Sequence, residues 1–170
     1  FLLGLVKPLS PLLFVFFSFE EKGRKQGQKE MEGSLFEEEG EKRKLRFAVV
    51  CASNMNRSME AHRVLLRNQF NVCSYGISTQ VKLPGASITQ PNIYEFGTPY
   101  KFIHDQLNRK DPHLYRQNGV LNMLIRNSAI KTCPERFQTQ NERFDVIIAF
   151  EGRVFDAIVE NLGQREVETG

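Results

Sequence analysis

The chain has 170 residues, enough for one domain with a hydrophobic core, and its 41% hydrophobic and 25% charged residues are ordinary for a globular protein. A net charge of +3 permits an anionic ligand but does not argue for direct nucleic-acid binding, which usually leaves a larger basic excess. The three cysteines, Cys51, Cys73 and Cys133, lack zinc-ligand spacing. They fit a reducing compartment and leave open either one functional thiol or only inert, buried ones.

The amino-terminal residues differ in composition from the rest. Residues 1–19 are strongly apolar, but Lys7, Pro8 and Pro11 interrupt them, and a membrane span needs about 20 apolar residues without a break. Residues 20–44 are dominated by Glu, Lys, Gln and Gly, which bury too little surface to offset the entropy of ordering. We therefore predict a disordered extension over residues 1–44, no membrane segment, and an ordered domain over residues 45–170.

The ordered domain begins with a strand, a polar loop and a helix. Residues 45–50 form a short apolar run typical of a buried parallel strand. Polar residues 51–57 follow at once. Residues 58–69 have helical spacing, with a predicted inner face made of Ala61, Val64, Leu65 and Asn68.

The residue pattern in the middle of the chain predicts one strand, one loop and two helices. Residues 71–78 indicate a strand, and the following segment, with Pro84, Gly85 and Pro91, indicates a loop to about residue 97. A cap followed by proline occurs twice, at Thr98-Pro99 and at Asp111-Pro112. The first opens a helix with Phe102, Ile103 and Leu107, and the second opens one helix over residues 112–125.

The last predicted elements are a strand over residues 143–150 and an amphipathic helix over residues 151–162, closed by Gly163. Strands that alternate with helices predict an α/β fold, here a three-layer sandwich with a central parallel sheet. Ligands of such sheets bind at the carboxyl ends of the strands. The loop after Val50 lies at such an end.

This loop has the chemistry of a phosphate site. The amides of Ala52, Ser53, Asn54, Met55 and Asn56 can form a concave nest for an anion, next to the positive end of the following helix. The same groups would stabilise a thiolate at Cys51, the predicted nucleophile. Arg57 would bind two phosphoryl oxygens, and Ser58 would donate a hydrogen bond to the sulfur. The spacing Cys-x5-Arg-Ser is weak evidence alone, and a structural Cys51 with an exposed Arg57 is the alternative.

A wider resemblance supports this interpretation. The segment RFAVVCASNMNRSMEAH, over residues 46–62, closely resembles the Ssu72 family of RNA polymerase II C-terminal-domain serine phosphatases. The likeness continues through VKLPG at 81–85, PNIYEF at 91–96 and PERF at 134–137, and it extends over about residues 46–168. The family fold is similar to that of low-molecular-weight tyrosine phosphatases. Those relatives and the arsenate reductases usually carry a second cysteine where this chain has Asn56, so we rank their activities low.

The resemblance implies a substrate and partners. The family removes phosphate from serine followed by a cis proline in the polymerase tail, during mRNA 3′-end processing and transcription termination in the nucleus, and it docks on a symplekin-like scaffold. It implies no metal or other cofactor. The peptide groove would be lined by Lys82, Pro84, Tyr115, Leu121 and Met123, although Leu121 and Met123 are equally well explained as helix core.

One implied residue has no counterpart in this sequence. The family places its general-acid aspartate after a further strand, past the position of Gly170, so we expect an incomplete domain, low stability and depressed turnover. Asp111 is interpreted as a helix cap, and Asp145 and Asp156 as structural residues. The open alternative to an enzyme is a module that binds phosphoserine–proline peptides or a processing-complex partner.

Overall fold

A computed structural model describes residues 2–4, 13–19 and 44–169, with side chains over residues 44–165. The strands are β1 (Leu2–Gly4), β2 (Leu13–Phe19), β3 (Arg46–Cys51), β4 (Asn71–Gly76), β5 (Val81–Ser87), β6 (Gln90–Tyr94) and β7 (Val146–Phe150). The helices are α1 (Arg57–Arg67), α2 (Tyr100–Lys110), α3 (Pro112–Gln117), α4 (Val120–Ser128) and α5 (Gly152–Thr169), with a 3-10 turn at Phe137–Thr139.

The predicted α/β fold with a central parallel sheet is confirmed. Strand β3 lies between β4 and β7 and is parallel to both, and the full sheet has the order β1-β2-β7-β3-β4. Helices cover it, and two apolar cores form, one around Tyr100, Tyr115 and Leu124 and the other around Val50, Phe137 and Ile158. Within the described residues, no helix is long and apolar enough to cross a membrane.

The structure corrects part of the prediction for residues 1–44. Two segments there are strands rather than disordered, and β2 pairs antiparallel with β7, with Val15 opposite Ile148. The physical reason is that β7 would otherwise present a free row of backbone N–H and C=O groups, and residues 13–19 have strong β propensity. Residues 5–12 and 20–43 of the predicted extension lie outside the described residues.

The inner face of α1 differs from the prediction. The buried residues are Ser58, Met59 and His62, whereas Val64 is 45% exposed. Sequence periodicity missed this because two of the buried residues are polar. They are tolerated inside because Ser58 contacts Cys51 and because His62 Nδ1 lies 2.8 Å from the hydroxyl oxygen of Ser74.

The segment after residue 78 that was predicted as a loop to about residue 97 is mostly a β-hairpin. Strands β5 and β6 pair antiparallel, with an irregular register between Leu83 and Ser87 that accommodates the glycine and the two prolines. Val81, Leu83 and Asn92 point inward. The alternation was hidden in the sequence because an asparagine occupies a buried position, where its amide donates to the Pro84 carbonyl and the Tyr115 hydroxyl.

Three helix boundaries also differ. Thr98 does not cap α2, because its hydroxyl donates to the Glu95 carbonyl and the helix begins at Tyr100. Asp111 does cap α3, accepting from Leu114 N at 2.9 Å, as predicted. The single helix predicted over residues 112–125 is broken into α3 and α4 at Gly119, whose φ of +78° is left-handed. Helix α5 continues through Gly163 instead of ending there.

His62 makes the stability of the fold sensitive to pH. Burial, with a contribution from the Lys131 charge, lowers the pKa of His62 from 6.5 to about 4, while Glu135 opposes the shift. The unfolded chain therefore binds an extra proton between these values, so stability is fully present above about pH 6.5 and falls as pH drops toward about 4.

We expect the free energy of unfolding to fall by about 2 kcal/mol as the pH drops from neutral to about 4, after allowance for solvent screening of the His62 charge. Urea unfolding of the unaltered chain and of His62→Gln from pH 4 to 7 measures it, with the exposed His113→Gln as control. If the free energy of unfolding depends on pH in the same way in His62→Gln and in the unaltered chain, groups other than His62 cause that dependence.

Candidate active site

The loop between β3 and α1 brings the predicted nucleophile and its partner together. Cys51 ends β3 and is 4% exposed, and its Sγ lies 3.0 Å from Ser58 Oγ in the first turn of α1. Asn54 Nδ2 donates to the same Ser58 oxygen at 3.0 Å, which leaves the hydroxyl proton free for the sulfur. The geometry suits a hydrogen bond that stabilises a thiolate at Cys51.

The carbonyl groups of the loop are held from outside it. Tyr100 Oη donates to the Asn54 carbonyl at 2.7 Å, and Asn127 Nδ2 donates to the Met55 carbonyl at 2.7 Å. Arg126 Nη2 also donates to Met55 O at 3.0 Å. Because the C=O and N–H of a trans peptide point in opposite directions, the N–H groups of Met55 and Asn56 point away from these partners. This direction is compatible with the predicted anion-binding nest.

Two positions let the loop adopt this shape. Asn54 has a φ of +53°, in the left-handed region that asparagine tolerates better than most residues, and its side chain is fully buried. Its amide oxygen accepts from Glu135 N at 3.1 Å. On the neighbouring strand, a Cβ at Gly76 would lie 2.9 Å from the Ala52 carbonyl oxygen, so only glycine allows this close approach.

Asn54→Ala should destabilise the fold by roughly 2–4 kcal/mol, because it removes two buried hydrogen bonds and places alanine at a positive φ. Asn54→Gly loses the same hydrogen bonds without the backbone strain, so it should recover about 1 kcal/mol of that cost. Denaturant unfolding of the two variants measures the difference. If Asn54→Ala and Asn54→Gly lower the free energy of unfolding equally, the positive φ does not contribute to the cost of the alanine.

Arg57 is the first residue of α1 and lies at the mouth of the loop. Its Nη1 is 2.5 Å from Glu151 Oε1, and the other oxygen of that carboxylate is 2.6 Å from Arg153 Nε. Burial alone would raise the pKa of Glu151, but hydrogen bonds from the two arginines and their charges outweigh it, and the pKa lies below its ordinary value. Glu151 is therefore ionised at neutral pH.

A cavity of about 790 Å³ opens beside the loop. Of the predicted groove residues, Lys82, Pro84 and Met123 line it. Tyr115 and Leu121 do not line it: they are 0% and 3% exposed and belong to the core. Leu121 lies on the buried face of α4, and the Tyr115 hydroxyl accepts a hydrogen bond from Asn92 Nδ2 of the hairpin at 2.9 Å.

The described residues that line the cavity include no aspartate or glutamate. Asp111 caps α3, Asp145 Oδ2 accepts from Arg46 N at 2.7 Å, and Asp156 is exposed on α5. Among the described residues, no group of three or more His, Cys, Asp or Glu side chains could hold a metal ion. The described cavity therefore combines a thiol with positive and amide donors but contains no carboxylic acid.

The sequence analysis missed four residues that shape this site: Tyr100, Arg126, Asn127 and Glu151. The first three come from distant helices, and nothing in their local pattern indicates contact with the loop. Glu151 had a usable signal, because it is the polar residue that directly follows a buried strand, at the edge of the sheet where ligands bind.

The fold and the loop together define the chain as an α/β protein with a Cys-x5-Arg-Ser loop between a buried parallel strand and a helix. Residues 45–170 match the family described as Ssu72-like protein. The chain belongs to the Ssu72 family.

The names of curated proteins with similar sequences support this family assignment. The RNA polymerase II C-terminal domain phosphatase SSU72 of Xenopus laevis is 54% identical over 125 residues, covering 74% of this chain and 64% of that protein. The corresponding phosphatase ssup-72 of Caenorhabditis elegans is 52% identical over 128 residues, covering 75% and 65%. The chain thus spans a little under two thirds of the length of these curated relatives.

Solved structures show the same fold. The crystal structure of the Drosophila melanogaster serine phosphatase of the RNA polymerase II C-terminal domain is 55% identical, with a TM-score of 0.70 over 71% of this chain and 64% of that one. Drosophila melanogaster Ssu72 with Symplekin, bound to a cis peptidomimetic of the C-terminal domain phosphorylated on serine 5, is 53% identical, with a TM-score of 0.69 over 71% and 63%.

Proposed function

We propose that this chain is a cysteine-dependent protein serine/threonine phosphatase that forms a phosphocysteine intermediate. The observation that carries the proposal is the contact between Cys51 Sγ and Ser58 Oγ at 3.0 Å, in a loop that lines a cavity together with Arg57. A buried thiol with a hydroxyl donor and an anion nest is arranged for nucleophilic attack on phosphorus.

The chemistry balances in two steps. In the first, the Cys51 thiolate attacks phosphorus in line, an S–P bond forms, the P–O bond to the serine oxygen breaks, and that oxygen takes a proton from solvent. The loop amides and Arg57 stabilise the charge on the non-bridging oxygens. In the second, water attacks phosphorus, a new P–O bond forms, and the S–P bond breaks. The water gives its proton to solvent, inorganic phosphate leaves, and Ser58 stabilises the returning thiolate.

The proposed substrate is phosphoserine followed by proline in the C-terminal domain of RNA polymerase II. Lys82 supplies positive charge beside the loop, while Pro84 and Met123 supply an apolar wall of the cavity. A similar Drosophila protein was crystallised with a cis phosphopeptide mimic, which supports the proline requirement. The chemistry of the cavity fits a ligand with one anionic and one apolar end.

The cellular setting is proposed from the relatives. The names of the similar proteins place them on the RNA polymerase II C-terminal domain, and one of them was crystallised with Symplekin. We propose a nuclear role in mRNA 3′-end processing and transcription termination, with a symplekin-like scaffold as partner. No direct binding to nucleic acid or to membranes is proposed.

A second candidate is a phosphoserine–proline binding module with impaired turnover. The observation that favours it is the absence of aspartate and glutamate among the described residues lining the cavity. A serine alkoxide is a poor leaving group and needs a proton donor. Glu151 does not supply one, since its two arginine partners keep it ionised.

Two substrates distinguish these candidates. An aryl phosphate has a leaving group that needs no acid, whereas a phosphoserine–proline peptide does need one. For an intact enzyme, both should be hydrolysed. For a binding module, the peptide should bind and the aryl phosphate should react slowly, with no release of phosphate from the peptide. The same assays on the whole Xenopus relative, of which 64% is matched here, give the comparison with a longer chain.

A folded chain that binds neither oxyanion nor phosphopeptide would contradict both candidates. Circular dichroism and thermal unfolding establish that the sample is folded. Arsenate reduction is measured in a separate assay. Activity in that assay would favour an arsenate reductase, the alternative that Asn56 argues against.

A further inference from the structure

Glu151 occupies an unusual backbone position at the ligand edge of the sheet. It follows β7 directly and precedes α5, and its φ of +99° lies in a region that residues with a Cβ rarely adopt. Its carbonyl accepts from Val154 N and Phe155 N, both at 3.1 Å, so the first turn of α5 fixes this conformation. A strained residue that neighbouring structure holds in place often has a functional reason.

This backbone conformation places the Glu151 carboxylate next to Arg57, the arginine proposed to bind phosphate. Glu151 Oε1 lies 2.5 Å from Arg57 Nη1, and Oε2 lies 2.6 Å from Arg153 Nε. The Arg57 side chain is 41% exposed and the Glu151 side chain 23%, so the acid is the better-buried member of the pair. A long, half-exposed arginine has many rotamers, and contact with a fixed carboxylate restricts them.

The contact leaves most of the guanidinium available. A single oxygen on Nη1 leaves the Nε–H and both protons of Nη2, which is the edge that binds two oxygens of a phosphoryl group side by side. The negative charge of Glu151 also has its own second partner in Arg153, which reduces its repulsion of an incoming anion. The arrangement therefore orients Arg57 without using up its phosphate-binding edge.

We propose that Glu151 is a positioning residue, which holds the Arg57 guanidinium at the mouth of the loop in the orientation that binds the phosphoryl group. The inference rests on the proposed function of the loop and adds a residue to it. Glu151 acts through Arg57 and does not touch the reacting atoms.

The test measures binding of tungstate, a tetrahedral oxyanion, by isothermal titration calorimetry. Glu151→Gly removes the carboxylate and also relieves the positive φ, so it should fold at least as well as the unaltered chain. We expect tungstate affinity to fall about tenfold, because Arg57 is no longer oriented. Glu151→Gln keeps an acceptor for Arg57 and should lose less. Glu142→Gln, which removes the same charge at the Arg46 ion pair, is the matched control.

A double-mutant cycle separates positioning from a general structural role. In an Arg57→Ala background, Glu151→Gly should have no further effect on tungstate affinity, since there is no guanidinium left to orient. An equal loss in both backgrounds would overturn the inference, as would unchanged or tighter binding by Glu151→Gly alone, which would mean that the carboxylate competes with the anion.

Tungstate binding separates the proposed phosphate site from the proposed positioning role of Glu151. If the folded, unaltered chain binds no tungstate, the proposed phosphate site is wrong and this inference is wrong with it. If the unaltered chain binds tungstate and Glu151→Gly binds it equally well, only the inference is wrong.

Discussion

Replacing Cys51 with serine should reduce hydrolysis of an aryl phosphate by roughly 10⁴-fold or more, because the proposed covalent route has no other thiol in the loop. A serine hydroxyl in the same place holds its proton at neutral pH and attacks phosphorus poorly. The substitution is nearly isosteric, and the hydrogen bond with Ser58 and the backbone amides of the loop remain available. Oxyanion affinity should therefore change by less than about tenfold.

The other two cysteines provide the controls. Cys73 lies on β4 and Cys133 precedes the segment that packs on the loop, and both are partly buried. Cys73→Ser and Cys133→Ser should retain activity within about threefold, provided that thermal unfolding shows them folded. Steady-state hydrolysis and oxyanion titration of the three variants form one experiment. Substantial activity in Cys51→Ser, or an equal loss in Cys73→Ser, would contradict the assignment of the nucleophile.

Replacing Arg57 with alanine should lower kcat/KM for the aryl phosphate by about 10³-fold, because we propose that the guanidinium binds two phosphoryl oxygens as charge redistributes in the transition state. Arg57→Lys should recover only a small part, since an ammonium group cannot present two parallel N–H donors. Both variants should also weaken oxyanion binding. The measurement is kcat and KM for each variant.

The matched control for Arg57 lies on the same helix. Arg67 is exposed in the last turn of α1, so Arg67→Ala makes the same change in charge and side-chain volume away from the loop. It should leave kcat/KM within about threefold of the unaltered chain. Equal effects of Arg57→Ala and Arg67→Ala would show that net charge, rather than a specific clamp, controls binding.

Local patterns predicted the parts of the site that are contiguous in the chain. An apolar run, a polar loop and a helix place Cys51, Arg57 and Ser58 together, and the structure has this arrangement because strand and helix formation depend mainly on neighbouring residues. The central parallel sheet follows from the alternation of strands and helices in the same way.

The remaining features depend on contacts between distant residues. The buried face of α1 was misplaced because Ser58 and His62 are polar, and their partners lie on other elements. The β5–β6 hairpin was missed because Asn92 is buried through hydrogen bonds that a periodicity analysis cannot detect. The contact of Glu151 with Arg57 joins two elements at opposite ends of the domain sequence. Strand β2 was missed because its partner, β7, is about 130 residues away in the chain.

The most direct test of the proposed chemistry is to trap the phosphocysteine. The folded chain is mixed with an aryl phosphate, quenched in alkali within the first turnover, and digested, and the peptide containing Cys51 is analysed by mass spectrometry. We expect a phosphoryl group on Cys51 in the unaltered chain and none in Cys51→Ser. An unmodified Cys51 peptide from a sample that binds oxyanion and hydrolyses the aryl phosphate would contradict the covalent mechanism.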